Sequence, residues 1–402
     1  MSLLARLFCI TSFLAFYINA GQLYAAAKKN NKHVDPQEAQ TILSTISLKI
    51  LERDTSLIID EIDHARDRFI LGKNDNELAP LYYCYILYYT GTSKDSCNKY
   101  YALSLDLADR TNNDSLRARL YLYDANRHRD EAGKVSALKK AEDYARRSAN
   151  IQLQAKTSML LGNYFFTRDP AKCIEYENRA ASLATQLNDQ ERLVQCMQNL
   201  AFTYDETLHD YPKAIEYVQA AITINKELKE VSAEANMLKY LGMLQGKLGE
   251  LTEAKLSIAQ AIDKFTSVNN EKGIAVCYFD MASAFEQVHL LDSAIYYLKF
   301  AKSIWEKQED PTTVFEQRIF LINVVLMRIY IASNQSRLAY DVYSENKPYE
   351  SSDNVHWQSR LDFYKLSREY FLNTGNNSPA KEYLTIYNAL KDSLLQQSVI
   401  VQ

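Results

Sequence analysis

Residues 241–254 read LGMLQGKLGELTEA, and the small residues in and just after this stretch decide the fold. Gly242 is followed twelve positions later by Ala254, and seven further on by Ala261. The same three marks recur on both sides. The first are Gly162, Ala201, Gly242 and Ala282, each preceded by an apolar residue (Leu161, Leu200, Leu241, Met281). The second are Cys173, Ala214, Ala254 and Ala294, spaced 41, 40 and 40. The third, Ala180, Ala221, Ala261 and Ala301, keep the same intervals. A fixed period in this range is the signature of a solenoid. Its physical basis is close approach. Two antiparallel helices joined by a short turn can touch only where both side chains are small, with bulkier residues in the rows on either side.

Four segments, LGNYFF (161–166), LAFTYDE (200–206), LGMLQGKLGELTEA (241–254) and MASAFEQVHLLDSA (281–294), resemble the first halves of tetratricopeptide repeats. That family places Leu-Gly, then an aromatic three residues on, then Ala, a bulky residue and Ala in a second helix. The aromatic is Phe165, Tyr204 and Phe285 in three copies and Gln245 in the third, and Gly249 suits the turn of that third copy. The period is near 40 instead of 34, so the chain resembles long-helix members of the family. The fold this implies is all-α, an α-solenoid of stacked antiparallel helix pairs wound into a right-handed superhelix.

Composition agrees. Across 402 residues there are only 10 Gly and 7 Pro, with 47% hydrophobic residues, the profile of helices joined by short turns. A net charge of −4 without a basic cluster argues against a nucleic-acid surface. Tyrosine is abundant, at 29 residues, and suits bulky core positions whose hydroxyls reach a wet edge.

Residues 1–27 read as an export signal. Arg6 provides the positive end, Leu7 to Ile18 the apolar run, and Ala25-Ala26-Ala27 the cleavage site. The run is too short for a comfortable membrane span, so no stable span is expected once the signal is removed. Cys9 lies inside it, leaving five cysteines in the mature chain. Cys97 and Cys173 take the small second-helix position, and Cys196 and Cys277 share one first-helix position two repeats apart. Buried use as small residues is expected for them, although Cys84 and Cys97 could meet within one hairpin.

Residues 28–150 read as degenerate repeats of the same kind. LADRTNND (107–114) mirrors LATQLNDQ (183–190), leaving room for an intermediate pair of helices near 114–127 and 134–149. The clearly marked repeats span 151–307. Residues 308–402 form a third stretch of repeat-like helices. There Pro311 breaks the chain, 319–331 reads as a buried helix, and 344–355 reads as a loop. Gly375 marks a turn, and Ser378-Pro379 are placed to open the last helix as cap and first residue.

No motif for chemistry stands out. The histidines at 33, 64, 128, 209, 289 and 356 are scattered, with no His-x-x-x-His or Cys-x-x-Cys. There is no Gly-rich phosphate loop and no G-x-S-x-G. The expectation is a non-enzymatic protein with no catalytic residues, no cofactor and no metal.

The resemblance implies a partner protein or peptide held in the concave groove lined by first helices. Positions three before and one after the first small mark face that groove. They are Met159 and Asn163, Gln198 and Phe202, Lys239 and Met243, and Phe279 and Ser283. The position six before it (Lys156, Gln195, Asn236, Val276) and the position four after it (Phe166, Asp205, Gly246, Glu286) are expected to face it as well. A clamp for a terminal carboxylate needs a Lys/Arg and Asn array here, whereas Met and Phe suit an amphipathic segment. A second resemblance lies at the end of the chain. AKEYLTIYNALKDSLLQQ (380–397) is similar to the closing helix of exported repeat domains in bacterial envelope sensors. Together these point to an exported, periplasmic or envelope-associated scaffold for protein interactions. The alternatives are a sensor domain acting through a recruited membrane partner, and an enzyme or carrier with a site inside the superhelix. Oligomeric state is not legible.

Overall fold

The computed structural model describes residues 35–52, 58–72, 74–128, 130–307 and 313–400. The export signal, Cys9, His33 and Pro311 lie outside the described residues. The chain divides into two compact units, Met1–Cys196 and Met197–Gln402.

In the first unit the helices are α1 (Pro36–Glu52), α2 (Ile58–Leu71), α3 (Asp75–Tyr89), α4 (Lys94–Arg110), α5 (Asp114–Ala125), α6 (Glu131–Arg147), α7 (Ile151–Phe165) and α8 (Pro170–Gln186). α3 pairs with α4, α5 with α6 and α7 with α8, and the first helices α3, α5 and α7 also touch in succession. This is the contact pattern of stacked hairpins. α9 (Gln190–Phe202) carries the boundary between the units.

The second unit continues with α10 (Tyr211–Glu227), α11 (Val231–Lys247), α12 (Leu251–Ser267), α13 (Glu271–Gln287), α14 (Leu291–Glu306), α15 (Thr313–Ala332), α16 (Ser336–Asn346), α17 (Trp357–Asn373) and α18 (Asn377–Ile400). Here α11 pairs with α12, α13 with α14, α15 with α16 and α17 with α18, while α13 also packs on α11 and α17 on α15. One apolar core runs from Ala235 to Tyr383. No strand is present among the described residues.

The small marks lie where they were expected. Ala180, Ala214, Ala221, Ala254, Ala261, Ala294 and Ala301 are fully buried. At Gly242 an added Cβ would stand 2.5 Å from Ile258 Cγ1 and 3.1 Å from the Ala254 carbonyl oxygen, so α11 and α12 are in backbone contact there. One helical turn on, each hairpin carries a rung between its helices. Phe165 stacks on Tyr176 at 5.8 Å, Tyr204 on Tyr217 at 5.6 Å and Phe285 on Tyr297 at 5.4 Å between ring centroids. In the copy that lacks the aromatic, Gln245 Oε1 accepts a 2.7 Å hydrogen bond from Ser257 Oγ. The rung keeps its position and changes its chemistry.

Several of the turns between paired helices close in the left-handed region. Gly249 adopts φ +78°, and the Glu250 amide donates back to the Gln245 carbonyl at 2.9 Å. His209 and His289 hold the equivalent positions at +53° and +60°, at a cost of about 1 kcal/mol each relative to glycine. Helix starts are fixed by side-chain caps, such as Asp169 accepting from the Lys172 amide with Pro170 as first residue.

Three local expectations are corrected. Residues 344–355 are not all loop, because α16 continues to Asn346 and Lys347–Tyr349 forms a 3-10 turn. The polar residue that made this segment look like loop is a buried anchor. Asn346 Nδ2 donates to the Phe320 carbonyl, and its Oδ1 accepts from Asn323 Nδ2, both at 3.0 Å. The last helix opens at Asn377, which puts Ser378 and Pro379 inside its first turn, where a missing N–H costs nothing. Cys84 and Cys97 do not bridge. All five described cysteines are free and buried, and Cys97 Sγ instead donates to the Ile86 carbonyl at 3.7 Å.

Replacing Gly242 by Ala tests the close contact. Helix propensity alone favours the change by about 1 kcal/mol, but overpacking costs about 1–3 kcal/mol. With backbone on one side and Ile258 on the other, the second effect should win and Gly242→Ala should melt lower than the parent. An equal or higher melting temperature would contradict the contact.

Candidate partner-binding groove

The site is built on the first-helix faces that the small-residue contact leaves free. Met159 is half-buried and Asn163 exposed, both on α7 of the first unit. The other six expected residues lie in the second unit. On α9, Gln198 is half-buried and its Nε2 donates to Met237 Sδ at 3.5 Å, while Phe202 is 43% exposed. On α11, Lys239 and Met243 are half-buried. On α13, Phe279 is half-buried against the core, and Ser283 Oγ donates to the Phe279 carbonyl of its own helix at 3.2 Å. Phe202 stacks on Tyr240 of the next first helix at 4.8 Å, joining the α9 and α11 faces.

Phe166 is half-buried, but in the second unit the position four after the small mark does not face outward as expected. α9 ends in a π-helical turn, Thr203–Thr207, an insertion that re-aims the side chains beyond it. Asp205, within that turn, is fully inside. Its carboxylate accepts from Tyr240 Oη at 3.0 Å and from Lys247 Nζ at 2.6 Å, both on α11. Burial, with Asp205 adjacent, raises the Tyr240 hydroxyl well above its usual range. Gly246 is buried as well, its missing Cβ position only 2.7 Å from Ala284 Cβ of α13. Glu286 binds Arg328 of α15 with both carboxylate oxygens, at 2.7 and 2.9 Å. This position staples successive repeats.

One residue on the same helices escaped the spacing argument. Asp280 on α13 interacts electrostatically with Lys239 on α11 and with the exposed Arg318 on α15. Its side chain still reaches solvent, yet protein encloses it enough for lost hydration to outweigh both cations. Burial raises its carboxyl to about 6, against the pull of Lys239 and Arg318. The neighbouring Cys277 thiol, fully buried, is pushed up to about 12 by the same loss of hydration. A signal was present in the sequence. Two before the small mark, the copies hold Leu160, Asn199, Tyr240 and Asp280, and only the last is charged.

Among the described residues no group of three or more His, Cys, Asp or Glu is placed to hold a metal ion, and no helix is long and apolar enough to cross a membrane. This face presents apolar side chains at the water boundary, Phe202 the most open of them, with Lys239 half-buried beside Met243 on α11.

The fold is that of tetratricopeptide-like helical repeat proteins. The structure resembles apo RapI with a TM-score of 0.64 at 14% identity, covering 89% of this chain and 98% of that one. It resembles the apo quorum sensor NprR from B. thuringiensis with a TM-score of 0.54 at 15% identity, covering 95% and 98%. A signal-transduction ATPase with a tetratricopeptide repeat sensor, from Pyrococcus horikoshii, gives 0.55 at 13% identity, with 90% of this chain and 55% of that one covered. No protein-family profile and no curated protein sequence matches the chain.

The raised carboxyl gives a test by pH. Asp280 carries a folded-state value near 6 against an ordinary 3.8, so the native chain holds that proton more tightly than the unfolded one. Stability therefore falls as pH rises through about 4 to 6 and stays lowered above it. Asp280→Asn, which removes the charge and keeps the shape, should raise the melting temperature at about pH 7.5 and leave it unchanged at about pH 4. An equal shift at both would show that the carboxyl is not strained.

Proposed function

We propose that the protein is a non-enzymatic scaffold that binds a peptide or partner protein on its first-helix face, exported to the cell envelope by the segment 1–27. The supporting observation is the row Phe202, Met243 and Phe279, which reaches water on the first helices of three successive repeats. A buried core would have taken these side chains in. Aromatic and thioether groups kept at a boundary cost little alone, and on leaving water they carry most of an interface's energy. Asn163 and Met159 offer a similar mixed surface on the first unit.

A second reading makes the protein the sensing part of a signalling system that works through a recruited membrane partner. It is favoured by the likeness in fold to a quorum sensor and to a repeat sensor of a signal-transduction ATPase. The two readings differ in what the captured partner is. A membrane-anchored regulator favours the second, and a secretion or transport component favours the first.

The triple variant Phe202→Ala, Met243→Ala, Phe279→Ala tests both. Groove anchors should lose partners in a pull-down from envelope extract while the melting temperature falls only slightly. Core residues of this size would instead cost about 2–5 kcal/mol each. A folded variant that keeps every partner of the parent would refute the assignment. Export has its own check. Intact-mass measurement on protein from the envelope fraction should give a mature chain starting at Lys28, and an unprocessed Met1 would oppose cleavage.

A further inference from the structure

Among the described residues α1 and α2 form the first hairpin, and its two sides differ. One side packs on α3, where Ser47 Oγ lies 3.7 Å from Cys84 Sγ and the Tyr85 hydroxyl donates to Asp63. The other side carries a hollow of about 520 Å³, with Ile42, Ile46 and Ala65 as an apolar floor and Asp60, His64 and Arg68 along its α2 edge. Thr45, about half a turn from Ser47, lines it on α1. Farther along the chain such a side is covered, because α3, α5, α7, α11, α13 and α15 each pack on the second helix of the hairpin before. The charges of the edge are partly committed. Glu61 pairs with Lys49, and Arg68 with Glu38, across the hairpin. Glu38 takes only Nη2 of Arg68, at 2.7 Å, and a guanidinium has donors for a second carboxylate. Asp60 is exposed and forms no ion pair among the described residues.

We propose that this face pairs with the same face of a second copy, the two α2 helices running antiparallel about a twofold axis at His64. The edge is self-complementary. Asp60, His64 and Arg68 are spaced four apart on one stripe of the helix, so reversing α2 about His64 lays each Asp60 against the other copy's Arg68. A twofold interface needs that reciprocity, in which one residue pair is made twice. The apolar floor of each hairpin is covered in the same step, as a neighbouring hairpin covers it elsewhere. The far end of the chain is a poorer occupant. The exposed residues of α18 include Lys381, Thr385, Asn388 and Asp392, with Leu384 the one large apolar side chain exposed there among the described ones. Set on the floor, Lys381 and Asp392 would lose water against Ile42 and Ile46. A foreign helix could cover the floor but would owe nothing to the spacing of Asp60 and Arg68. Two helix faces about 20 Å long and about 20 Å across make a small interface, so pairing in the micromolar range is expected.

The test is sedimentation velocity on the purified protein across about 1 to 200 µM, which brackets that range. The average mass should rise from one chain toward two and stop there. Asp60→Arg should weaken the pairing about tenfold or more, since two attractive contacts become two repulsive ones. Arg68→Asp should do the same. An equimolar mixture of these two variants should pair again, because each offers the charge that the other lacks. Thr45→Arg fills the hollow with a charged chain, leaves the Arg68–Glu38 pair alone and should also stay monomeric. Asp60 and Thr45 are exposed, so their variants should melt like the dilute parent. A parent that remains one chain at every concentration, its face empty or held by a foreign partner, would overturn the proposal. So would a mass that climbs past two chains, a dimer that both Asp60→Arg and Thr45→Arg leave intact, or a folded mixture that stays monomeric.

Discussion

Backbone contact at the small residues is the constraint on which everything else depends. Where Gly242 meets Ala254, no side chain separates the two helices, and their relative rotation is fixed. That rotation decides which residues face the partner helix, which face the next repeat and which face water. Gln245 must then lie opposite Ser257, just as Phe165 lies opposite Tyr176. Lys239 and Met243, on the other side of α11, are left at the surface by the same geometry. The outward face is a remainder, defined by what close packing has already consumed.

The inter-repeat contact refines that remainder. A buried carboxylate such as Asp205 is costly unless its oxygens are satisfied, and here Tyr240 and Lys247 satisfy them from the next repeat. Asp205 makes this contact from within a π-helical turn, while Gly246 and Glu286 meet the next repeat from the same position on regular helices. Phe202, just before the π-helical turn, settles on Tyr240 with much of its ring in water.

Most of the fold was legible because it rests on residue size, which a sequence states directly. Glycine, alanine and cysteine at fixed intervals allow one kind of packing, and Ala254, Ala294 and Cys173 are buried as that packing requires. Polar residues misled, since their place depends on partners far along the chain. Asn346 looked like loop and is an anchor for the Phe320 carbonyl, and Asp205 looked like groove and is a staple. The residues three before and one after the small mark were legible as a face, with Phe202 the most open of its apolar members. The surroundings of Asp280 were not, because a two-helix spacing argument cannot show how far protein encloses its carboxyl.

Asp280 is the one charged residue at its position in the four marked repeats. An uncharged residue at that position would spare the chain the cost of an ionised carboxyl enclosed by protein. Leu160, Asn199 and Tyr240 hold the same position without charge. The two cations do not recover that cost, since burial raises the carboxyl despite them.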